Sequence, residues 1–123
     1  MIAALERLMT DLAFAGSVAE FEDRWVSSPS PFAAVSVRSW EEHVGGGAEV
    51  EFAPGAGPSL AQLEAAFGAF SEPPRAPAGR RHLRGTWWKE GMPARVVLLV
   101  YSPPPADESL ERIMVQRGEL RPA

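Results

Sequence analysis

A chain of 123 residues, 46% of them apolar, is long enough to bury about two thirds of its unfolded surface around one core, so it needs neither a second domain nor a covalent staple. It contains no cysteine, which excludes disulfides, thiolate metal sites and cysteine nucleophiles together and points to a cytoplasmic setting. A net charge of −4 argues against a general nucleic-acid binder, and Lys89 is the only lysine among 12 basic residues, a bias that suggests a GC-rich genome.

Residues 1–15 carry Glu6, Arg7 and Asp11 inside an apolar pattern, which fits neither a signal peptide nor a membrane span. Ile2, Leu5, Leu8, Met9 and Leu12 recur at spacings of three and four, the stripe of an amphipathic helix over residues 2–14. Gly16 interrupts it. Ser17 with Glu20 three positions on has capping-box form and starts a second helical piece with Val18, Phe21 and Trp25 on one side. Ser27 to Pro31 reads as a loop.

Residues 32–40 alternate apolar Val35 and Val37 with Ser36 and Arg38, the pattern of a half-buried strand. Glu41-Glu42-His43 and the run Gly45-Gly46-Gly47 read as the connection to a partner strand over 48–52, with Val50 and Phe52 facing in and Glu49 and Glu51 facing out. Ser59 and Gln62 form a second capping box, and Leu60, Leu63, Phe67 and Phe70 lie on one stripe, which predicts a helix over 60–70. The proline-rich residues 71–79 form a loop or arm. Residues 80–89 read as a strand, Leu83, Gly85 and Trp87 on one face and His82, Arg84, Thr86 and Trp88 on the other. Residues 110–117 give a last strand, Ile113 and Val115 on one face and Met114 on the other.

The most informative stretch is residues 94–101, where Val96, Val97, Leu98, Leu99, Val100 and Tyr101 run without a polar break between turn signals. Such a run is a buried strand. Because its side chains alternate between two faces, both faces need a cover. The prediction is therefore an α+β fold in the order α-β-β-α-β-β-β: a mostly antiparallel sheet of about five strands, packed by an N-terminal helix and a middle helix. The last three strands form a meander with residues 94–101 in its middle. Residues 1–117 make one domain and 118–123 a C-terminal tail.

Chemistry is sparse. Glu41, Glu42 and His43 have metal-ligand types, but neighbours point different ways and no second cluster completes a coordination shell. Gly55-Ala56-Gly57 precedes a helix yet lacks the lysine and hydroxyl of a phosphate loop. No catalytic residue, metal ligand or cofactor is assigned. Arg75, Arg80, Arg81, His82 and Arg84 make the one basic concentration, which reads first as a charged edge strand and second as a partner contact.

The sharper clue is that both faces of the last three strands carry apolar side chains. The helix over 60–70 covers one face, and the simple expectation is that the N-terminal helix covers the other. The competing expectation leaves that face open, rimmed by Arg84, His82 and Arg112, as an interface. On the second view the chain is a non-enzymatic protein-binding module of the inhibitor, immunity or adaptor kind, or a homodimer, contacting its partner through Trp88, Arg84, Met114, Tyr101, His82 and Arg112. Neither nucleic acid nor membrane is the expected partner. The alternative is a small-ligand carrier or sensor, or a small enzyme, with a pocket walled by Trp25, Trp40 and Trp87.

Overall fold

The computed structural model describes residues 1–28, 30–41, 45–72 and 81–118. Metal-type residues Glu42 and His43, most of the proline-rich arm with Arg75 and Arg80, and all of the expected tail except Gly118 lie outside the described residues. The elements are α1 (Ile2–Phe14), α2 (Val18–Trp25), β1 (Ala34–Glu41), β2 (Gly45–Glu51), α3 (Leu60–Phe67), β3 (His82–Trp87), β4 (Val96–Tyr101) and β5 (Arg112–Arg117). The fold is α+β, three helices packed on a five-stranded antiparallel sheet, in the predicted element order with the first helix divided.

Strand order is β1-β2-β5-β4-β3. Strand β4 does sit between β3 and β5, as the short connections require, but the middle of the whole sheet is β5. It joins the β1–β2 hairpin to the β3–β4 hairpin through pairs such as Val50↔Ile113 and Leu98↔Val115.

All three helices lie on one face of this sheet. Helix α1 crosses β2, β5 and β4 and touches both other helices, while α2 packs on β1 and α3 on β3. The apolar stripe of α1, Leu5, Leu8, Met9 and Leu12, is fully enclosed against Val50, Val96, Leu98, Ile113 and Val115 in a single core. Each such side chain contributes about 1.5–3 kcal/mol of burial free energy, which holds the short helices in place. The expectation that the N-terminal helix covers the second face is thus wrong. Amphipathicity says that a helix must cover something, and here one broad face seats three helices side by side.

The two capping serines work as their spacing implies. Ser59 Oγ accepts from Gln62 N at 3.2 Å while Gln62 Oε1 accepts from Ser59 N at 2.9 Å. Ser17 Oγ accepts from Glu20 N at 3.2 Å, but Glu20 reaches back to Gly16 N instead of Ser17 N. Helix α3 stops at Phe67, short of the predicted residue 70, because Gly68 takes a φ of 97° that an L side chain resists. Phe70 still reaches the core face, with its ring laid over Gly85.

Residues 45–47, expected to be loop, are strand. The reason is Trp40: it pairs with Gly46, and a Cβ there would meet the Trp40 ring at 2.6 Å and collide with the Ser39 carbonyl oxygen. A large aromatic ring occupies the space that a side chain at Gly46 would need. Between Val37 and Ser39 the register slips by one residue, a bulge that shifts the alternation of β1. As a result Val35 and Val37 face the helices, Arg38 is left unpaired in the ladder, and Trp40 again faces the helices, 6.3 Å from the Phe21 ring.

Candidate functional site

None of the helices among the described residues lies on the second face of the sheet. Its rows follow from the strand register: Arg84, Leu99, Met114, Glu49 and Ser36 lie side by side across all five strands, with Thr86, Val97, Gln116, Gly47 and Ser39 in the next row. His82 and Tyr101 pair in the row beyond Arg84, and Arg112 pairs with Glu51 at the same end of the sheet. An apolar strip of Val97, Leu99 and Met114 therefore runs through the middle of this face, only half-buried, and ends in the exposed Tyr101 ring.

The polar side of the strip is organised by Glu49. Arg38 Nη2 donates to Glu49 Oε2 at 2.9 Å and Arg112 Nη1 donates to Oε1 at 3.4 Å, so one carboxylate is shared by two guanidiniums. The Glu49 side chain is 11% exposed, whereas those of Arg38 and Arg112 are 54% and 61% exposed. The negative charge is enclosed and the positive charges stand over it. Across the strip, the Arg84 side chain is exposed and makes no ion pair among the described residues. Its backbone N–H and C=O are both engaged by Ser71, which protects part of the β3 edge.

Of the residues expected at a contact site, the structure places Arg84 and Met114 in one row and His82, Tyr101 and Arg112 at one end of the sheet. The His82 and Tyr101 rings are 5.7 Å apart. Trp88 is separate. It lies one residue beyond β3, at the end of the sheet opposite to His82, and its indole Nε1 donates to the Met92 carbonyl at 2.9 Å. From residue 82 to residue 88 a strand covers about 20 Å. The prediction that Trp88 continues the strand fails because this hydrogen bond ties its ring to the β3–β4 turn. Arg38, Glu49, Val97 and Leu99 belong to the face but were not among the expected contacts. Strand parity across the hairpin points to Arg38 and Glu49 as neighbours; Arg112, 63 residues along the chain from Glu49, has no such local signal.

The tryptophans proposed to wall a pocket are dispersed. Trp40 is on edge strand β1 beside Phe21, and Trp87 is on the opposite edge strand β3, packed edge-on to Phe67 at 5.5 Å. Trp25 is buried and donates its indole N–H to Asp11 at 2.8 Å. An open cleft of about 410 Å³ runs beside α1, lined by Glu6, Arg7, Thr10, Asp11, Trp25 and Lys89. Its charges are largely paired, Lys89 with Glu6 and Arg24 with Asp11. Among the described residues no three His, Asp or Glu side chains come together as metal ligands, and no helix is long and apolar enough to cross a membrane.

The chain matches no family model, no curated protein and no solved structure in comparisons with each.

Proposed function

We propose that this chain is a non-enzymatic protein-binding module, of the inhibitor, immunity or adaptor kind, that docks a partner on the open face of its sheet. The observation that carries the reading is the half-buried strip of Val97, Leu99 and Met114, bordered by Arg84 on one side and the Arg38–Glu49–Arg112 group on the other, on a face that none of the described helices covers. Interfaces combine an apolar centre with a polar rim, and arginine and tyrosine are over-represented among the residues that dominate their affinity. Tyr101 and Arg84 stand beside the strip in that relation. A sheet face with this composition hides apolar area only when something sits on it.

Site-specific photo-crosslinking tests this reading. A photoreactive phenylalanine analogue at position 101 or 84 is expected to trap one discrete protein in lysate of the source cells, while the same group at position 7 or 22, on the helical layer, traps none. Equal adducts from both layers, or none from the sheet, would overturn the assignment.

A further inference from the structure

The open face also carries information on what it binds. The three helices hold six carboxylates, Glu6, Asp11, Glu20, Glu22, Asp23 and Glu64, against Arg7 and Arg24, a net charge of −4 on the helical layer. The charge presented around the strip is different. By strand parity Glu41 and Glu51 share this face with Glu49, but Glu49 lies enclosed beneath two guanidiniums, Glu51 is half-buried opposite Arg112, and Glu41 stands at the far end of edge strand β1. The exposed charges nearest the strip are therefore those of Arg38, Arg84 and Arg112. Arg38 and Arg112 each spend one N–H on the Glu49 carboxylate, and a guanidinium has five donors to place. Spare donors in a planar fork match carboxylates in pairs.

Size narrows the occupant further. Five strands and six residues per strand give a face of roughly 20 by 20 Å, near 400 Å² in projection. A stable interface between two folded proteins buries about 800 Å² of accessible surface per partner, so a flat face of this extent suits a short segment better than a second folded copy. Two copies stacked face to face would also bring six arginines together over carboxylates already in use, a like-charge contact that disfavours pairing.

Resting on the reading above, we infer that the partner is a segment of another protein that sets apolar or aromatic side chains between aspartates or glutamates, the apolar groups lying on Leu99, Met114 and Val97 and the carboxylates reaching Arg84 on one side and Arg38 and Arg112 on the other.

The probe is a random peptide library displayed on phage and panned against the immobilised full chain at low salt, followed by synthesis of the enriched peptides. Enriched sequences are expected to place acidic residues around Leu, Phe or Trp. Replacing their acids by Gln or Asn is expected to weaken binding at least about tenfold, as is Arg84→Glu in the chain, and added salt weakens it too. Arg84→Glu changes an exposed side chain, and circular dichroism checks that it and Leu99→Asp remain folded. Peptides that are apolar, uncharged and lost in Leu99→Asp would overturn the acidic chemistry while leaving the binding face standing. Peptides indifferent to Leu99→Asp, Tyr101→Ala and Arg84→Glu would overturn both. A single-stranded oligonucleotide that binds more tightly than any peptide and displaces it, or a dimer in light scattering that Leu99→Asp dissolves, would replace the acidic segment with nucleic acid or with a second copy of the chain.

Discussion

Strand β4 shows one kind of side chain to two environments. Val96, Leu98 and Val100 lie beneath helix α1 and are essentially without solvent contact, whereas Val97 and Leu99, their immediate neighbours, face the side of the sheet that carries none of the described helices and stay half-buried, with Tyr101 exposed after them. Composition does not separate the two faces, since both are valine and leucine. What separates them is that the three described helices all lie on one side. The difference teaches that an unbroken apolar run reports the chemistry available to both faces of a strand, and that the fold decides which face is satisfied internally.

Truncation on the two faces gives the largest contrast. Leu98→Ala removes a fully enclosed side chain from the centre of the core and is expected to lower unfolding free energy by about 3–4 kcal/mol, from lost burial plus the cavity left behind. Leu99→Ala, one residue on, is expected to lower it by under about 1 kcal/mol, since little of its surroundings can become a closed cavity. Urea unfolding of the two variants measures the difference directly. Equal losses would mean that the second face is packed in solution and would break the comparison.

The next effect comes from Gly46, which makes room for Trp40 on the core face. Gly46→Ala drives a methyl into the Trp40 ring and the Ser39 carbonyl and is expected to destabilise by about 2 kcal/mol, because the carbonyl belongs to the backbone and cannot swing aside. Gly47→Ala is the control. A methyl there sits 3.3 Å from the Val115 carbonyl and 3.4 Å from Ser39 Oγ on the open face, so a small adjustment accommodates it and the loss is expected to stay below about 1 kcal/mol. Denaturation midpoints with unchanged m-values would confirm that both variants act on the native fold.

These glycines also mark where the chain was opaque as a sequence. Periodicity and capping chemistry made the elements legible: Leu5, Leu8 and Leu12 on one stripe, Ser59 with Gln62, and the apolar run of β4 all act locally. Residues 45–47 were not legible, since three glycines in a row favour a loop, and the Trp40 ring that fills the space over Gly46 faces it through the bulge at Arg38. Nor was the side on which α1 packs. A helical stripe specifies that a face is buried and carries no mark of which face of the sheet receives it. For the candidate site, parity placed Arg84, His82 and Met114 on one face, while the Glu49 clamp depends on the β2–β5 pairing of residues far apart in the chain.

That clamp sharpens the comparison at lower energy. In a double-mutant cycle with Glu49→Gln and Arg38→Met, the coupling is expected to be about 0.5–1 kcal/mol, near the upper end for exposed pairs because the carboxylate is enclosed while the arginine is not. It should shrink as salt is raised. A coupling of several kcal/mol would make Glu49 a structural keystone of the sheet and would remove the case for its arginines as groups kept available to a partner.

The smallest expected effect on stability is the most telling one for function. Tyr101 closes β4 with 43% of its surface exposed, and its ring touches the face mainly through His82. Tyr101→Ser gives up a strand-favouring aromatic residue and little buried area, so unfolding free energy should change by no more than about 0.5 kcal/mol. A side chain that large, left in water at the end of an apolar strip, contributes little to the fold that Ser would not. In binding, the same substitution removes the exposed tyrosine ring of the proposed face and should weaken association at least about tenfold, the cost of losing an aromatic contact that anchors an interface. Stability unchanged with association lost separates the two faces of the sheet in a single variant, one serving the fold and the other the partner. Loss of both together would place Tyr101 in the fold's own packing, and retention of both would take the binding face elsewhere on the molecule.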